Sequence, residues 1–69
     1  MTRLTALIIQ TRDDVHVETF SQNSKHGFWI TLGERHEPLL TSEPLWELEC
    51  DAKNAGTHLV YQIRQEATA

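Results

Sequence analysis

The 69-residue sequence has a single cysteine, Cys50, so an intramolecular disulfide cannot form. Its three glycines are isolated, and none belongs to a phosphate-binding loop. No apolar run approaches the about 20 residues that a transmembrane helix needs. These absences argue against a disulfide scaffold, a P-loop enzyme and a membrane-spanning protein. We expect a cytoplasmic protein without an N-terminal targeting signal.

Basic residues are also few, with six lysines and arginines against ten aspartates and glutamates and a net charge of −4. They are scattered singly, so they form no basic patch that could bind a phosphate backbone. This argues against nucleic-acid binding, although a nucleic-acid-binding α/β module stays open as an alternative function. An acidic protein is better suited to a partner protein with a basic surface.

Motifs for catalysis and metal binding are missing as well. No serine or cysteine has a base at motif spacing, and Asp51 beside Cys50 disfavours a reactive thiolate. His26 and His36 lie too far apart along one extended segment to bind one ion, and no histidine or cysteine pair has zinc-motif spacing. We expect no enzyme activity, no cofactor and no metal, with a small metal-binding protein as a weaker alternative.

The length of the chain predicts one domain, which we place at residues 1–64, followed by a flexible tail at 65–69. A folded chain this short buries only about 60% of the surface that its unfolded form exposes, so its stability is marginal. Small domains usually gain stability from disulfides, a structural metal or a partner subunit. Since neither a disulfide nor a metal site is predicted, a partner subunit remains, which favours a homodimer.

Alternating β-branched and aromatic residues predict most of the secondary structure. A turn at Arg12 and Asp13 would pair Ile8 with Val17 in a hairpin. We expect residues 35–40 to run back as a short edge segment, because Pro38 cannot donate to a central ladder. The predicted main strands are Arg3–Gln10, Val15–Gln22, Phe28–Gly33 and Thr57–Arg64.

The segment Thr41–Gly56 fits two structures. Residues 45–51 alternate as a strand would, whereas the same segment read as a helix carries one apolar stripe, Leu45, Leu48, Ala52 and Ala55. Ser42 as a cap and Gly56 as a C′ residue favour the helix. The sequence therefore predicts an α+β fold of order β-β-β-α-β, a small antiparallel-dominated sheet with one helix on one face. An all-β meander or small barrel is the alternative.

One helix covers one sheet face, and strand alternation gathers apolar side chains on the other face: Leu7, Ile9, Phe20 and Trp29. Soluble monomers rarely expose a large apolar patch, and tryptophans often anchor interfaces. This face is a candidate partner-binding surface, unless the sheet curls or residues 33–42 fold over it.

Acidic residues cluster in the predicted helix, and the candidate partner-binding ones are Glu43, Glu47 and Asp51. Such charges usually cover a solvated helix face, but they could also dock a basic partner and speed its association. The predicted function is a small non-catalytic protein-binding protein, a regulator or inhibitor. It would act through an exposed apolar sheet face and an acidic helix.

Overall fold

The computed structural model describes residues 3–66. Along the chain, three antiparallel strands lie between two helices. The strands form one open sheet in the order β1-β2-β3. The predicted α+β class with an antiparallel sheet is confirmed, and the all-β alternative is wrong. The elements are α1 (Arg3–Thr11), β1 (Val15–Gln22), β2 (Lys25–Leu32), β3 (Glu37–Thr41) and α2 (Glu49–Glu66).

A tight hairpin joins β1 to β2 through Asn23 and Ser24. Their φ angles are 52° and 64°, and a type I′ turn requires positive φ at both central residues. This turn fixes a register in which Val17 lies opposite Ile30. The predicted strand Val15–Gln22 is confirmed at both ends.

β3 is an edge strand, as the position of Pro38 predicts. Its register against β2 shifts between the Ile30–Leu40 and Thr31–Pro38 pairs, which leaves Leu39 as an extra residue in a β-bulge. The bulge allows the consecutive side chains of Leu39 and Leu40 both to pack against the core.

The first predicted strand, Arg3–Gln10, is wrong, because this segment lies within α1. Ile9 is fully buried and Ala6, three residues earlier, packs against the same core, which is the spacing of one helix face. The segment has apolar residues at both odd and even positions, so it lacks the alternation of a half-buried strand. The predicted pairing of Ile8 with Val17 does not occur, since Val17 pairs with Ile30.

The last predicted strand, Thr57–Arg64, is also wrong and belongs to α2. The helix begins at Glu49 instead of near Ser42, whose Oγ accepts a hydrogen bond from the Phe28 N–H at 2.8 Å instead of capping a helix. The element order is therefore α-β-β-β-α, with two helices where one was predicted. Gln65 and Glu66 of the predicted tail belong to α2, and 67–69 lie outside the described residues.

The core lies between the helices and one face of the sheet. α2 packs across β1 and β2, and α1 packs against α2. The buried cluster contains Ile9, Phe28, Ile30, Val60 and Ile63. Within residues 3–66 the opposite face has no helix over it, and we call it the helix-free face. Strand alternation gives it seven side chains from β1 and β2, besides Gly27: His16, Glu18, Phe20, Gln22, Lys25, Trp29 and Thr31.

Candidate protein-binding surface

An aromatic pair forms the apolar part of the helix-free face. Phe20 of β1 and Trp29 of β2 contact edge to face, with ring centroids 5.5 Å apart and an interplanar angle of 77°. Phe20 is half-buried, while 37% of Trp29 is exposed. The prediction that these two residues share a sheet face is therefore confirmed, and the indole presents an accessible apolar surface.

Gly27 makes the position of the Phe20 ring possible. It lies opposite Phe20 in the β1–β2 ladder, and a Cβ atom on it would lie 2.5 Å from Cζ of that ring. The phenyl ring thus lies over the glycine and is held beside Trp29. Any larger residue at position 27 would displace the ring from the aromatic pair.

Polar side chains form the other end of the helix-free face. Nδ1 of His36, in the turn before β3, lies 2.8 Å from Oε1 of Glu18. The His36 ring also contacts His16, with centroids 5.7 Å apart. Thr31 lies opposite His16 and is 1% exposed, and its Oγ1 has no hydrogen-bond partner among the described residues.

The other two residues of the predicted apolar patch do not lie on the helix-free face. Leu7 lies in α1 and is 53% exposed, while Ile9 is fully buried in the core beneath α2. Both were assigned to a strand that is in fact a helix, and helical geometry separates them from Phe20 and Trp29. The exposed apolar surface of α1 consists instead of Leu7 and Leu4.

The candidate acidic residues were predicted to lie on one helix, but most of them precede α2. Glu43 and Glu47 precede the helix, and Asp51 lies in its first turn, where negative charge stabilises the helix dipole. Glu47 pairs with Lys25 at 3.1 Å. Glu49, also in the first turn, accepts a hydrogen bond from Thr19 at 2.8 Å. Glu47 and Glu49 thus bind this segment to side chains of the sheet.

Two exposed leucines lie among these acidic residues. Leu45 is 65% exposed and Leu48 is 58% exposed, although the helical stripe predicted both as core. The cause is the backbone pairing of Trp46 with His26. This pairing holds the segment extended along β2, so that the helix begins only after it, at Glu49. The alternation of residues 45–51, which puts Leu45 and Glu47 on one face, was the available sequence signal for the exposure of Leu45.

The histidines and the cysteine do not meet at one point. The structure brings His16 and His36 together, whereas His58 is an exposed residue of α2, as is Cys50. Within residues 3–66 there is no group of three or more His, Cys, Asp or Glu side chains that could hold a metal ion. Neither of the helices in that range has the length and hydrophobicity to cross a membrane.

Several basic side chains bind within the chain. Arg12 forms a bidentate ion pair with Asp14, and Lys25 pairs with Glu47. Lys53 donates to the Val17 carbonyl at 2.7 Å, and Arg64 donates to backbone carbonyls beside α1. Of these four residues, only Lys25 lies on the helix-free face, where its ammonium group is paired with Glu47.

Comparisons of the chain with protein-family models, curated proteins and solved structures found no match.

Proposed function

We propose that this protein is a small, non-catalytic protein-binding protein that contacts its partner through the helix-free face. The observation that carries the proposal is the exposure of Trp29, whose indole is 37% accessible beside Phe20 on a sheet face that no described helix covers. A regulator or inhibitor that binds a larger protein is the role that best suits such a surface.

The composition of the face supports a protein partner. Tryptophan is among the residues that most often dominate binding energy, especially at the centre of an interface with a polar rim. Trp29 has this arrangement, since Glu18 lies opposite it in the ladder and the two imidazoles lie beyond. Because Phe20 and the backbone of β2 hold the indole, little side-chain freedom is lost on binding.

The charge of the protein supports a basic partner. The net charge is −4, and the exposed acidic residues are Glu43 and Glu47 before α2 and Asp51 in its first turn. Complementary charge mainly raises the association rate and selects among partners, while the buried aromatic contacts supply affinity. Leu45 and Leu48, exposed within this acidic segment, extend the apolar contact that a partner could make.

A comparative capture experiment tests the proposal. Tagged wild type, Trp29→Ala and Tyr61→Ala are incubated with lysate of the source cells, and the bound proteins are quantified. Tyr61 is the matched control, because it is an aromatic residue, 60% exposed, on the helix that packs against the opposite sheet face. We expect a protein retained by wild type and Tyr61→Ala to be lost with Trp29→Ala.

The captured protein is then purified and titrated against each variant. Loss of a central interface tryptophan typically weakens binding by about 2 kcal/mol or more, which is roughly a thirty-fold rise in Kd. Equal affinities for wild type and Trp29→Ala would show that the partner binds elsewhere. Circular dichroism of the variants confirms that each remains folded.

A further inference from the structure

The outer edge of β1 presents backbone groups to solvent. The Asp14 carbonyl accepts a hydrogen bond from the Gly33 N–H at 2.9 Å, so even-numbered residues of this strand direct their backbone groups towards β2. The Val17 carbonyl points the other way and accepts from Nζ of Lys53. The N–H and C=O groups of Val15, Val17, Thr19 and Ser21 therefore face outward.

This edge is long and has no strand beside it. β1 has eight residues and is the terminal strand of the sheet, and among residues 3–66 it pairs only with β2. An unpaired edge of this kind is a template for another strand, either from a ligand or from another copy of the chain. Lys53 bonds one backbone carbonyl of this edge, that of Val17, and Glu49 bonds only the side chain of Thr19.

We propose that β1 pairs with β1 of a second copy in an antiparallel, two-fold symmetric dimer, with Val17 opposite Val17. The three central registers that join outward-facing groups have their two-fold axis at Val17, Glu18 or Thr19. An axis at Glu18 places two Glu18 carboxylates opposite each other, which is unfavourable. An axis at Thr19 places Glu18 opposite Phe20 of the other copy.

Only the axis at Val17 gives each Glu18 a polar, non-acidic side-chain partner on the other copy. It places His16 of each copy opposite Glu18 of the other, and this pair occurs twice because of the symmetry. Glu18 can accept this second contact, since its pairing with His36 uses only Oε1. His16 is exposed, so its side chain is available to a partner strand.

The dimer would join the two sheets into one of six strands and make the two helix-free faces continuous. Each copy then contributes its own Phe20–Trp29 pair to one extended surface. Lys53 must release the Val17 carbonyl, a small cost because the side chain is exposed. This inference does not depend on the proposed function, because a monomer could bind a partner through Trp29 equally well.

Sedimentation equilibrium of the full chain tests the dimer and its register through a charge exchange. We expect wild type to dimerise and His16→Glu to weaken dimerisation by about ten-fold, because two attractive pairs become repulsive. The double variant His16→Glu/Glu18→Lys places opposite charges across the two strands at both positions and should recover dimerisation. Neither of the other two registers predicts this recovery.

Hydrogen exchange of wild type supplies a second measurement that needs no variant. The amides of Val17 and Thr19 should become more protected as protein concentration rises, whereas the Glu18 amide, which faces β2, should not respond. A wild type that stays monomeric would overturn the inference. So would a dimer that His16→Glu leaves intact, or Val17 exchange that is independent of concentration. Trp29→Ala should remain dimeric, which separates this test from that of the proposed function.

Discussion

Gly56 sets the distance between α2 and the sheet. A Cβ atom at this position would lie 2.6 Å from Cγ1 of Val17 and 2.8 Å from Cδ2 of Phe28, both closer than carbon atoms approach in folded proteins. The sequence pattern predicted this glycine as the end of a helix, but it lies buried inside one. Its role is to permit close packing, for which the helix accepts a residue of low helix propensity.

Replacing Gly56 with alanine should therefore destabilise the protein. Alanine favours the helix by about 1 kcal/mol, but overpacking a tight contact costs about 1–3 kcal/mol. We expect Gly56→Ala to lower the free energy of unfolding by about 1 kcal/mol in urea denaturation, since the packing cost exceeds the propensity gain. Asn54→Ala is the matched control, because Asn54 is exposed on the same helix and its substitution should slightly stabilise. Equal gains in both variants would contradict this packing argument.

The residues of the candidate surface show what strand alternation can predict. Phe20 and Trp29 were correctly placed together, because both lie in strands whose outward-facing positions follow from a period of two. His36 was not placed beside Glu18, since its position depends on a turn with φ of 53° that the sequence does not specify. Leu7 was misplaced because its whole element was misassigned.

At the scale of elements, α1 depends on α2. It has nine residues, fewer than an isolated helix needs to be stable in water. Arg64 of α2 donates to the carbonyl of Ile9 at 3.0 Å and to that of Arg12 at 2.9 Å. A cation at the carboxyl end of a helix satisfies free carbonyls and interacts favourably with the helix dipole.

Arg64→Gln should loosen α1 selectively. Loss of these hydrogen bonds should cost about 1 kcal/mol and raise the exchange rate of α1 amides more than that of β2 amides. Arg35→Gln is the control, since it removes the same charge from an exposed turn residue. Uniform acceleration of exchange across both elements, or none, would show that Arg64 does not hold α1.

The two misassigned elements have one physical cause. Buried and half-buried positions of α2 follow the helical period without interruption on both sides of Gly56: Ala52, Ala55, Gly56, Leu59, Val60 and Ile63. Because Gly56 was interpreted as the end of a helix, the apolar face of α2 was assigned to two separate elements. The β-branched residues after Gly56 then resembled a strand. In α1 the helical spacing of the buried residues was not evident from the sequence, because the exposed positions are also occupied by leucines. Local propensity could not resolve either case, because contact with the sheet decides both helices.

At the scale of the whole molecule, the pH dependence of stability should include the Arg12–Asp14 pair. The hydrogen bond from Arg12 is the main cause that lowers the pKa of Asp14 from its ordinary value of 3.8. A carboxyl group whose pKa is lower in the folded state stabilises the protein above its unfolded pKa. This contribution is lost as pH falls through the folded pKa.

Asp14→Asn should therefore lower the thermal midpoint at neutral pH, and the difference from wild type should vanish in acid. The measurement is thermal denaturation by circular dichroism from neutral pH to below the ordinary pKa of 3.8. Asp13→Asn provides the control, because it removes the neighbouring charge and keeps the bidentate pair. A constant difference at every pH would exclude Asp14 protonation as its source.

The contact between Arg64 and Ile9 also has a consequence for synthesis on the ribosome. These residues are 55 positions apart, and translation delivers the earlier helix before its partner. The nascent segment of α1, with Leu4, Leu7 and Ile9, must therefore wait without its packing surface until the end of α2 has left the exit tunnel. A chain arranged in this way completes its fold after translation of α2, and until then Ala6 and Ile9, which are covered in the folded protein, are accessible to chaperones.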